Sequence, residues 1–256
     1  MNTRTETSPS LPTNMPVLAV LGLSDQADGD WARLRGLQYS SLAANTVARL
    51  LAHGIAALAT AGLFFGKLHV LFIVAWLAVL GCTLWQSAQQ DRALVDADRR
   101  RMTREEVNRQ NLIAIGIALA WVLPVGASNL TPDSLLQLEL WTVLGLLMTV
   151  SAIVLPAVPL STLLFTGIVG GAAMVSFALS SMFDMALLVV VYCLTVTAGS
   201  LNGARNYLIG KVAEAAMAEK SEVVSLLLRE FEEGEADWLW QIDASRRVLS
   251  VSPRFA

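Results

Sequence analysis

Val70-Leu-Phe-Ile-Val-Ala-Trp-Leu-Ala-Val-Leu-Gly-Cys-Thr-Leu-Trp-Gln-Ser-Ala88 runs without one charged side chain. At about 1.5 Å of rise per helical residue, such a run reaches across a hydrocarbon core of about 30 Å. Apolar runs of similar length recur at 46–66, 111–128, 138–155, 160–180 and 184–201. The expected fold is an all-α polytopic membrane bundle of six transmembrane helices over residues 29–203. Composition agrees: 55% of residues are hydrophobic and only 15% are charged, too few charges to cover a soluble surface.

The breaks between spans carry turn chemistry. Lys67-Leu-His69 reverses the chain after the first span, and Leu130-Thr-Pro-Asp-Ser134 does so after the third. Pro156-Ala-Val-Pro159 ends the fourth, since each proline lacks an N–H donor and disfavours helix in the residue before it. Between spans two and three lie Arg92, Arg99, Arg100, Arg101, Arg104 and Arg109, whereas the opposite connections offer Lys67, Asp133 and Asp184. The positive-inside rule therefore puts 89–110 and both termini in the cytoplasm, with the lipid bilayer as the first partner. Interleaved acids, Asp91, Asp96, Asp98, Glu105 and Glu106, nearly neutralise the Arg99–Arg101 cluster, so strong recruitment of anionic lipid is not implied. A net charge of −3 implies no nucleic-acid partner.

Residues 1–28, rich in Ser, Thr, Pro and Asp, read as a disordered cytoplasmic tail with a short apolar patch. From Asp30, Trp31, Leu34, Leu37 and Leu42 recur on one side of a helix that lies at the interface and enters the first span. Beyond the sixth span, 204–234 is Ala-, Glu-, Lys- and Leu-rich and free of proline. Val212, Ala216, Val223 and Leu227 recur there at near-heptad spacing, which fits a parallel two-stranded coil and a homodimer, or a merely amphipathic linker. Residues 235–256 then alternate as strands, with Trp238, Trp240 and Ile242 before a turn from Asp243 to Arg246, and Val248, Ser250 and Ser252 after it.

Trp238-Leu-Trp-Gln-Ile-Asp-Ala-Ser-Arg-Arg-Val-Leu-Ser-Val-Ser-Pro-Arg-Phe255 resembles the opening of a PAS domain, with Trp238, Trp240 and Asp243 as its marks. Leu226-Leu-Leu-Arg-Glu-Phe-Glu-Glu233 is similar to the helix that enters such domains in bacterial multi-spanning sensors. The resemblance implies a truncated β-hairpin at the start of an α/β PAS domain, behind a signalling helix. It further implies the membrane input half of a larger signalling protein, most similar to cyclic-di-GMP proteins carrying GGDEF and EAL domains, with sensor histidine kinases second. Neither GGDEF, EAL nor a kinase histidine box occurs in this chain. Diguanylate cyclase, phosphodiesterase or kinase chemistry would belong to segments beyond it. A small-molecule transporter is the main rival.

Candidate sites are few. No paired carboxylates, metal-ligand spacing or nucleophile–base constellation is legible, so no catalytic, metal or cofactor residue is assigned. Cys82 and Cys193 each lie inside an apolar span and read as small hydrophobes. Arg49 and His53, one turn apart on the first span, are the candidate intramembrane sensing pair. Against that, Arg49 can snorkel to headgroups and His53 can bond a neighbouring helix. His53 and His69 are sixteen positions apart, about 24 Å along a helix, so one chain cannot offer both as axial haem ligands. Gly167 and Gly171 form a small-xxx-small pair, suited to packing within the bundle or to a dimer face. Trp121 and Pro124 mark the outer end of span three, with Trp85 and Trp141 as interface anchors.

Overall fold

A computed structural model describes residues 15–24, 30–97, 101–131, 133–233, 240–242, 245 and 248–251. Its elements are α1 (Val17–Val20), α2 (Trp31–Ala44), α3 (Thr46–Phe64), α4 (Val70–Arg92), α5 (Arg104–Ser128), α6 (Ser134–Val154), α7 (Pro159–Leu179), α8 (Phe183–Glu233), β1 (Trp240–Ile242) and β2 (Val248–Val251). The helices α3 to α8 are each long and apolar enough to cross a membrane. This is the architecture of a multi-pass membrane protein. The chain divides into two compact units, Met1–Ile209 and Gly210–Ala256.

In the first unit α5 packs against α4 and α7, and α3 packs against α6. The central core stacks Phe64, Trp76, Trp121, Leu136, Leu144 and Met148, each at most 2% exposed. Outward-facing Leu51, Ile55, Leu58, Leu71, Val74, Leu146 and Leu187 are exposed, as expected where lipid rather than water is the solvent. Gly66, at φ +76°, takes the left-handed turn that Lys67 and Leu68 continue between α3 and α4. His69 caps α4, its Nδ1 accepting from the Leu71 N–H at 3.3 Å. That end is tied further by Lys67 Nζ donating to Asp133 Oδ2 at 2.8 Å, and by Gln137 Nε2 donating to Ser180 Oγ at 2.9 Å.

At the arginine-rich end α2 forms a cap. Asp30 begins it by accepting from the Arg33 N–H at 3.1 Å, and the same carboxylate accepts from Arg101 Nε at 2.9 Å. Thr103 and Glu106 make a reciprocal capping box at the start of α5, which satisfies two otherwise orphaned donors. Tyr39, Leu42, Leu94, Met102, Val107 and Leu155 close a second apolar cluster there. Burial pushes the Tyr39 phenol well above its ordinary value. Burial, then the cationic Arg104, lowers the Arg35 guanidinium.

Several expectations change. Residues 15–24 fall inside the segment read as a mobile tail, yet Met15, Ala19 and Val20 are buried. Gln38 Nε2 donates to the Val20 carbonyl at 3.2 Å, so α2 gives the apolar patch a surface to pack on. Pro124 does not end the third span: α5 continues through it to Ser128. A helical proline leaves the carbonyl four residues back without its amide partner. Here that carbonyl is Ala120, and Trp76 Nε1 donates to it at 2.9 Å. Trp121 is fully buried rather than interfacial, whereas Trp85 is exposed. The sixth span and the helical segment expected after it form one element, α8, unbroken to Glu233.

In the second unit β1 and β2 pair antiparallel, with Trp240 opposite Val251 and an irregularity between Gln241 and Ile242. A two-stranded hairpin is common to many folds, so the pairing establishes local strand structure and no domain family. Trp238 and Asp243 lie outside the described residues.

Candidate functional site: a polar cluster inside the bundle

The first turns of α3 place Thr46, Arg49 and His53 on one face, because residues three and four apart on a helix are neighbours. The last turn of α4 does the same for Ser87 and Asp91. Where the two faces meet, Arg49 Nη2 donates to Asp91 Oδ2 and, at 2.9 Å, to Ser87 Oγ. Thr46 Oγ1 donates to the same carboxylate oxygen at 2.6 Å. Arg49 is 6% and Asp91 2% exposed. A charge this deep is tolerated only when paired and hydrogen-bonded.

One turn further in, Trp121 Nε1 donates to His53 Nδ1 at 3.0 Å. An imidazole nitrogen that accepts carries no proton, so the ring is neutral and its remaining N–H is on Nε2. Phe165 packs edge-on against the ring at a centroid distance of 5.6 Å. Trp76 packs the same way on Trp121 at 5.4 Å. This aromatic stack fixes both the position and the tautomer of His53.

Beside the cluster is a cavity of about 50 Å³, open on one side, with Arg49, His53, Ser87, Gln110, Ser161 and Thr162 among its polar walls. Leu42, Ile113, Ile117, Leu155 and Phe165 supply apolar ones. Three buried atoms here have no hydrogen-bond partner among the described residues: Arg49 Nε, Asp91 Oδ1 and Thr162 Oγ1. The arrangement can bind a small polar group and hold it beside an ion pair. Among the described residues no three His, Cys, Asp or Glu side chains group as a metal site would require.

Arg49 and His53 are thus brought together, but Arg49 turns inward to Asp91 rather than outward to headgroups. Asp91 was read as one of the acids neutralising the arginine cluster, beyond the end of span two. It lies inside α4 instead and neutralises Arg49. Ser87, Asp91, Trp121 and Thr162 went unrecognised, although Ser87 and Asp91 stand four apart, the same spacing as Arg49 and His53.

Of the two roles expected of the glycine pair, close packing within the bundle is not the one it takes. Added methyl groups at Gly167 and Gly171 would meet nothing within 4 Å. Both glycines line an open groove of about 260 Å³ with Met174, Val190 and Leu194. The close approach of α7 to α8 is at Gly170, where an added carbon would collide with Cys193 Sγ. Of the heptad positions, Val212 is half-buried, and Ala216, Val223 and Leu227 are exposed. Comparison with known protein families, with curated proteins and with solved structures found no match.

Proposed function

We propose that this chain is the membrane-bound sensory input module of a bacterial signal-transduction protein. It sits in the inner membrane with both termini cytoplasmic, perceives a membrane or periplasmic cue, and relays it through a homodimeric helical rod to a PAS domain. Cyclic-di-GMP synthesis or hydrolysis is the favoured output, and histidine phosphorylation the next. One observation supports the reading: α8 is a single helix from Phe183 to Glu233, so the last membrane span and the linker before the hairpin belong to one helical element. A continuous helix passes rotation or axial shift along its length, and near-balanced packings convert small displacements into switches.

The test replaces Cys82 and Cys193, then introduces single cysteines along 212–227. Crosslinks in native membranes should recur at Val212, Ala216, Val223 and Leu227, with yields that change when membrane composition changes. An absence of crosslinks, or yields indifferent to every cue, counts against the rod. A transporter remains the second reading, favoured by the polar cavity within the bundle, and substrate uptake into proteoliposomes would replace the sensory reading with it.

A further inference from the structure

We infer that the cavity beside Arg49 binds an uncharged, membrane-soluble molecule that presents a carbonyl oxygen to Arg49, His53 and Thr162 from a hydrophobic body. The donors decide the class of ligand. Arg49 uses Nη2 on Asp91 and Ser87, and its buried Nε–H has no acceptor among the described residues. The hydroxyl of Thr162, a residue only 2% exposed, has no partner either. His53 accepts at Nδ1 and so carries its N–H on Nε2. All three side chains line one cavity. Asp91 Oδ1, the orphaned acceptor of the cluster, is not on the cavity wall, so a ligand that completes the donors lining the cavity must accept hydrogen bonds.

Charge selects among acceptors. Asp91 already neutralises Arg49, so an anionic ligand would leave the cluster with net negative charge in a poorly screened interior. A carbonyl oxygen accepts from the same donors without adding charge. Size and lining then set the remainder of the molecule. A water needs about 10–15 Å³ and a benzene ring about 150 Å³ on comparable measures. The cavity's 50 Å³ therefore takes the carbonyl-bearing edge of a molecule whose body leaves through the open side, past walls such as Ile117 and Phe165. This supplies the cue that the sensory reading calls for and rests on that reading for its purpose. Binding itself is measured without any output, so the two fail separately.

The full chain in lipid-free dodecyl maltoside micelles is titrated with a decyl-substituted benzoquinone, methyl decanoate, decanoate and decane, counting only saturable uptake above that of empty micelles. The quinone or the ester should saturate. Saturation by the quinone alone assigns redox-active lipids and by the ester alone acyl lipids, and either upholds the carbonyl site. Thr162→Val should weaken binding about fivefold while raising the ligand-free unfolding temperature, because it removes a buried hydroxyl that lacks a partner. Arg49→Lys, which keeps the charge but not the Nε–H, should weaken binding about tenfold. Thr162→Ser should retain wild-type affinity, which keeps the test decisive if the valine variant fails to fold. Tighter saturation by decanoate than by methyl decanoate overturns the proposal in favour of an anion site. No saturation by any probe, or an unchanged affinity in Thr162→Val, overturns it in favour of a cavity that holds water only.

Discussion

The start of α3 and the far end of α8 invert each other. Around Arg49 an apolar helix buries a cation, a carboxylate and an imidazole. Along 223–228 a polar helix exposes Val223, Val224, Leu226, Leu227 and Leu228. In the first region the surroundings meet part of the polar demand: Asp91, Ser87 and Thr46 close around Arg49, and Trp121 meets His53. In the second, apolar side chains stand on the surface of a helix and meet no burial among the described residues. A residue's character therefore says little about its energetic role. What it costs to leave that residue unmatched says more.

That contrast is most easily broken at Asp91. Asp91→Ala leaves Arg49 buried without its counter-charge and should cost about 3–5 kcal/mol, whereas the Arg49→Met, Asp91→Leu double variant should lie near wild type. Unfolding in detergent, read as a double-mutant cycle, measures both. Equal losses in the single and double variants would mean that the site depends on packing volume and not on the pair.

The next largest effect separates three glycines on one helix. Gly170→Ala should destabilise by about 1–3 kcal/mol through the clash with Cys193, and Cys193→Ala should restore it. Gly167→Ala and Gly171→Ala should be neutral or gain about 0.5–1 kcal/mol, since alanine is the better helix former and space is open. Thermal unfolding of the four variants ranks them.

At the exposed end, Leu227→Glu should leave the stability of the bundle within about 0.5 kcal/mol, as surface changes do. In the proposed coil it should weaken self-association about tenfold or more, detectable by crosslinking yield. Loss of bundle stability instead would place Leu227 in an intramolecular contact.

The smallest effect concerns pH. The hydrogen bond from Lys67, then the backbone N–H of Leu136, holds the Asp133 carboxyl below its ordinary value. A carboxyl depressed in the folded state contributes stability above its unfolded pKa and loses it as pH falls through the folded one. Stability should therefore decline slightly on acidification below about pH 4, and Asp133→Asn should flatten that limb of the pH profile. An unchanged limb would assign the acid sensitivity to another carboxyl.

Much of the architecture was legible without coordinates. Spans were readable because hydrocarbon tolerates no unpaired backbone and admits few charges, so long apolar runs such as 70–88 have one economical conformation. The break at 156–159 was readable because proline acts through its own backbone geometry, whereas the part Gly66 plays in the turn before Lys67–His69 shows only in its positive φ. The strands around Trp240 and Val248 were readable from alternation. The candidate site was only half legible: Arg49 and His53 stand out as ionisable groups in an apolar span, but their partners do not. Asp91 reads as one acid among several beside an arginine cluster until α4 is extended by a turn and laid against α3. Trp121 reads as an interface anchor until α5 passes straight through Pro124 and turns the indole inward. Gly167 and Gly171 have the spacing of a contact, yet Gly170 makes it. Local sequence determines which segments are helical and apolar, because those preferences act over a few residues. Which face of each helix turns inward, and so which donor finds which acceptor, is decided only when all the helices pack together and every buried polar group must find a partner in a solvent that offers none.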